Sequence, residues 1–128
     1  MKRAKDKERG VAAVEFGLLL PVLLMILLGM MEYGYLYFVH LNMTNAAREG
    51  ARVGVVQENA NVITAAETAA QAYLNAAGVS GTPTATFDQT TVEVTVTTAY
   101  NPLIGFVPTP STLQARASMR WELAPPPP

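Results

Sequence analysis

The sequence predicts an α+β protein: a long N-terminal helix that crosses a membrane and continues outside it, a second shorter helix, and a small antiparallel sheet of about three strands. Three observations predict it. An apolar run extends from Val11 to Met31 with a single charge, Glu15, inside it. Residues 61–77 place apolar side chains at helical spacing, and from Thr91 onward the period falls to two.

The N-terminal element comes first. Lys2, Arg3, Lys5, Lys7 and Arg9 precede the run, against Asp6 and Glu8, so residues 1–10 read as a basic leader. At about 1.5 Å per residue the run gives roughly 30 Å of helix, the thickness of a bilayer's hydrocarbon. Tyr33, Tyr35, Tyr37 and Phe38 follow as an aromatic belt at the far interface, which sets the transmembrane helix at 11–35. The basic leader stays in the cytoplasm and the C-terminus faces outward. A cleaved secretory signal is the weaker alternative, because the apolar core is long and no small-x-small site follows it. Pro21 lies within the span, where it should kink or loosen the helix.

Beyond the membrane, an outer α+β domain covers 36–123. Leu36, Val39, His40, Met43, Ala47, Gly50, Ala51 and Gly54 recur at helical spacing, so the first helix continues over 36–56. A second helix fits 61–77, with Asn61 as N-cap and Gly78 past its end. Strands are expected at 84–88, 91–99 and 112–123. The second has Val92, Val94 and Val96 on one face, and the third alternates from Leu113 to Leu123. Residues 124–128 form a proline tail of extended polyproline.

Composition narrows the function. The net charge is −1, but past Gly10 four basic residues face eight acidic ones, which leaves no basic surface for nucleic acid. There is no Cys and only one His, His40, so neither a disulfide framework nor a His/Cys metal site is expected. Nothing marks a catalytic triad or a phosphate-binding loop. We expect no enzyme activity, no cofactor, no metal and no small-molecule substrate.

Three features remain. A carboxylate at Glu15 inside lipid costs about 2.5–3.5 kcal/mol on insertion scales, so it needs a partner or must snorkel to the headgroups. Ala46, Ala47, Gly50, Ala51 and Gly54 form a small-residue stripe for close helix packing, either on the chain's own second helix or between subunits; nearby, Glu49 can pair with Arg48 or Arg52 only loosely. Between the last two strands, Asn101-Pro-Leu-Ile-Gly-Phe-Val-Pro-Thr-Pro110 carries Leu103, Ile104, Phe106 and Val107, too apolar for an idle loop. These side chains either fold back on the domain or form an exposed contact patch.

Gly10-Val-Ala-Ala-Val-Glu15-Phe16, between a basic leader and a long apolar helix, resembles the processing site of type IV pilin-like proteins. With Gly-Leu-Leu-Leu-Pro21 and the later Asn45-Ala-Ala-Arg-Glu-Gly-Ala-Arg52, the N-terminal region is similar to the TadE-like family, pseudopilins of Tad (Flp) tight-adherence pilus systems. The resemblance implies a membrane-anchored minor pilin of the bacterial inner membrane, used in pilus assembly for adhesion or secretion. A prepilin peptidase would cut between Gly10 and Val11. Glu15 would then meet the new α-amino group of a neighbouring subunit, with Phe16 beside it at the assembly contact. That amine is cationic at neutral pH, and pairing relieves the burial of both charges. Other pilins or pseudopilins, inner-membrane platform proteins of the Tad system and membrane lipid are the implied partners. The second reading is an uncleaved single-pass assembly factor whose outer domain binds another envelope component.

Overall fold

The computed structural model describes residues 2–123, with side chains from Gly10 onward. The expected proline tail and the side chains of the basic leader lie outside the described residues. The element order is α1 (Lys2–Gly54), a 3₁₀ turn (Asn59–Asn61), α2 (Val62–Ala77), β1 (Thr82–Phe87), β2 (Thr91–Ala99) and β3 (Thr112–Arg120). This is the α+β arrangement anticipated above.

At 53 residues, α1 is roughly 80 Å long. It includes the backbone of the leader from Lys2 and passes through Pro21 without interruption. Proline has no N–H to give to the carbonyl four residues back, so the bond that would close on Gly17 is missing while the helix continues. Its apolar part is long enough to cross a membrane, and the most apolar stretch is not buried against the rest of the chain. One long apolar N-terminal helix fits a single-pass membrane protein.

The helix ends at Gly54, two residues short of the expected 56. Gln57 N–H turns back to the Gly54 carbonyl at 3.1 Å, tightening the last turn. Asn61 does not cap α2. The 3₁₀ turn already holds its backbone in the helical region (φ −108°, ψ −6°), its side chain makes no capping bond, and the helix starts at Val62. At the other end Gly78 takes a left-handed φ of 67°. Its N–H reaches Asn75 O at 3.2 Å, and Val79 N–H reaches Leu74 O at 3.0 Å, closing the helix in a Schellman turn.

The sheet is an antiparallel meander in the order β1-β2-β3. β1 starts at Thr82 rather than 84 and contains Pro83, which an edge strand tolerates because only one side of its ladder is paired. On α2, Glu67 accepts the Ala85 N–H at 2.9 Å, tying this edge strand to the helix. β3 stops at Arg120 instead of 123. Past that point Trp121 N–H bonds Thr90 O, the indole N–H bonds Gln57 O at 2.9 Å, and Glu122 N–H bonds Val55 O at 3.1 Å. The end of the described chain is thereby fastened to the C-terminal tip of α1, with Phe87 and Trp121 packed edge-on at 5.1 Å.

Both helices lie on one face of the sheet. Val92, Val94 and Val96 are completely buried, as are Met43, Ala46, Ala47 and Ala51 of α1 and Val62, Ala66, Ala70 and Leu74 of α2. Period-two burial along β2 and the small-residue faces of both helices build this core.

Candidate functional site

The N-terminal positions form an open surface on α1. A side chain added at Gly10 would meet nothing within 4 Å, and Val11 and Phe16 are 59% and 62% exposed. Glu15 is exposed on the same helix. The carboxylate therefore stands on the outside of the span, where another chain or the headgroup region can reach it.

The small-residue stripe faces inward. Ala46, Ala47, Gly50, Ala51 and Gly54 are all buried within this chain, which leaves no surface at those positions for a second subunit. α1 and α2 run antiparallel here. A Cβ on Gly50 would lie 2.6 Å from the Ala66 carbonyl oxygen and 3.0 Å from Ala70 Cβ, and one on Gly54 would lie 3.0 Å from Ala66 Cβ. Glycine allows the two backbones this close approach. On the solvent side, Arg52 donates two hydrogen bonds to Glu49, at 2.6 and 2.9 Å. This is a two-pronged contact rather than the loose one expected, and it draws the Glu49 carboxyl below the usual carboxylate range. The pair is exposed, so it adds little stability.

The most elaborate polar arrangement among the described residues lies at the C-terminal end of the apolar run, on a residue the sequence does not single out. Glu32 is completely buried. Its Oε1 accepts the Leu103 N–H and the Tyr100 hydroxyl, each at 2.9 Å; Oε2 accepts the Ile104 N–H at 2.8 Å and the Gly105 N–H at 3.2 Å. Gly105 sits at φ 72°, a left-handed conformation that suits glycine and helps three consecutive amides converge on one anion. Burial, then the bond to Glu32, pushes the Tyr100 phenol up to about 12.

This clamp decides how the 101–110 loop sits. Its backbone and its side chains take different directions. The backbone folds back along α1: a Cβ on Gly29 would be 3.6 Å from Val107 Cγ2, and the Tyr33 hydroxyl donates to Pro108 O at 3.4 Å. The side chains of Leu103, Ile104 and Phe106 remain outside, 56%, 39% and 53% exposed, while Val107 is half-buried. Glu32 escaped notice because its partners are 68 to 73 residues away in sequence. The available signal was a carboxylate at the boundary between the apolar run and the aromatic belt, where an unpartnered charge is costly.

No curated protein and no solved structure matches the chain. Residues 10–52, about a third of the chain, match a family model. The matched segment begins at Gly10, includes Glu15 and ends within the small-residue stripe, and it excludes α2 and the sheet. That model is described as TadE-like protein, the family that the N-terminal residues resemble, and it points to a Tad pilus-related protein.

Proposed function

We propose that the chain is a TadE-like pseudopilin: a non-enzymatic, single-pass subunit of the bacterial inner membrane, with its C-terminus outside, that assembles or primes a Tad pilus in adhesion or secretion. A prepilin peptidase matures it by cutting between Gly10 and Val11. Other pilins or pseudopilins and the inner-membrane platform are its partners. The observation that carries this reading is the family match starting at Gly10, five residues before an exposed Glu15 on an otherwise apolar span.

The physics of the segment supports each step. The uncut chain is helical through Gly10, so a protease must unwind it there. Glycine eases that unwinding, being about 1 kcal/mol poorer than alanine inside a helix. Cleavage gives Val11 an α-amine about one helical turn before Glu15 on the same face of the helix, where the exposed carboxylate of a neighbour shifted along the axis can meet it. Removing one partner from a buried ion pair costs about 3–5 kcal/mol, so such a pair fixes one axial offset between subunits.

Two results are expected. Intact mass and N-terminal sequencing of protein extracted from membranes should give Val11 as the first residue, and Gly10→Leu should leave the chain full-length. A native N-terminus at Met1, or mature-sized product from Gly10→Leu, overturns the assigned cleavage. Glu15→Ala should insert as well as the parent yet assemble poorly, seen as loss of pili on cells that still contain the membrane-extractable subunit. Normal piliation with that change overturns the pairing role and favours the uncleaved assembly factor.

A further inference from the structure

We propose that the 101–108 loop is a second membrane contact, its apolar side chains entering the lipid leaflet at the far end of the span. Depth is the first observation. The loop packs against Gly29, Glu32 and Tyr33 of α1, and Gly29 lies inside the apolar run. The Leu103 and Ile104 amides bond Glu32 and Val107 lies beside Gly29, so the loop borders the turn of helix that carries Met30 and Met31, themselves 66% and 57% exposed. The side chains of Leu103, Ile104 and Phe106 thereby add exposed apolar surface beside the end of the apolar run.

Backbone chemistry is the second observation. Irregular backbone is tolerated at membrane depth only when protein satisfies its polar groups. The N–H groups of Leu103, Ile104 and Gly105 all turn inward onto Glu32. The same contacts cover a carboxylate that would otherwise meet lipid at the edge of the hydrocarbon. Three amides and a phenol face the anion while three large apolar side chains face away from it. In water that division would expose an apolar patch for no return; against lipid it buries the patch and shields the charge. The partner is the bilayer that holds α1, so the inference depends on α1 spanning it and not on pilus assembly.

The chain has no cysteine, which permits single-site labelling. Full-length protein carrying Phe106→Cys, Leu23→Cys or Glu58→Cys is spin-labelled and reconstituted into vesicles of phosphatidylethanolamine and phosphatidylglycerol. Relaxation by dissolved oxygen reports lipid exposure, and relaxation by a water-soluble nickel chelate reports water exposure. The label at 106 should lose most of its access to the chelate and keep access to oxygen, as at 23 and opposite to 58. Dilution of the protein into more lipid should not change this. Chelate access at 106 equal to that at 58 overturns the proposal. Shielding from both reagents, or shielding that fades on dilution, also overturns it and assigns the loop to another protein chain. A label at 23 outside lipid overturns the spanning reading and the loop contact together, whereas a label at 23 in lipid with 106 in water removes the loop contact alone.

Discussion

Glu32→Ala is expected to detach the 101–108 loop from α1. The carboxylate is the shared acceptor of the Leu103, Ile104 and Gly105 amides and of the Tyr100 hydroxyl, so its loss leaves the three amides without their acceptor and Tyr100 with only the Glu32 main-chain carbonyl, 3.5 Å away. A bond to a charged acceptor is worth more than a neutral one, and an unmet donor costs more than the bond returns. Amide hydrogen exchange at residues 103–105 should therefore quicken by about ten- to a hundredfold, with little change in β2 or α2. Glu32→Gln should fall between parent and alanine variant. It keeps one acceptor oxygen but turns an NH₂ group toward amides that also donate. Tyr100→Phe removes one donor and leaves the anion held by three amides, so its effect should be the smallest. Equal exchange at 103–105 in the parent and Glu32→Ala would show that the loop is held by its prolines and apolar contacts instead.

Gly50→Ala should destabilise the outer domain even though alanine is the better helix former. The propensity gain is about 1 kcal/mol. Against it, the new Cβ would lie 2.6 Å from the Ala66 carbonyl oxygen, a backbone atom that can move only if α2 moves. Overpacking a close-packed interior costs about 1–3 kcal/mol, and a backbone collision lies at the upper end. The net loss should be about 1–2 kcal/mol, read as a lower melting temperature of the outer domain in detergent. Gly34→Ala is the control. A Cβ there meets nothing within 4 Å, so only the propensity gain remains and the domain should melt no lower than the parent. A Gly50→Ala protein as stable as the parent would mean that the helix pair can separate at little cost, contrary to the dense small-residue contact described above.

How much of this was legible in the sequence depends on how local each determinant is. β2 could be read residue by residue because the strand writes its own period, with Val92, Val94 and Val96 buried and their neighbours less so. The apolar run and the Gly10-to-Glu15 spacing are likewise local, and the family match covers the same stretch. Element ends were less accurate where a distant partner sets them. Past Arg120 the main chain leaves the ladder where Val55, 67 residues earlier, accepts the Glu122 N–H, and Gln57 O takes the Trp121 indole N–H. Asn61 is a fair capping residue that the preceding 3₁₀ turn leaves in the wrong conformation. Of the Glu32 clamp only the acceptor has a local signature, a charge at the edge of the apolar run; its donors lie 68 to 73 residues away and only the folded meander brings them together.

The unbroken course of α1 from its apolar run into the packed α+β domain has a mechanical consequence. No flexible joint separates the anchor from the head, and the Glu32 clamp pins the head's lower edge to the same rod. Turning the apolar portion about its long axis must swing the sheet by the same angle, as a key's bit follows its shank. Whichever flank of the anchor abuts a neighbour in the membrane thus dictates the compass bearing of Trp121 and the far pole of the head.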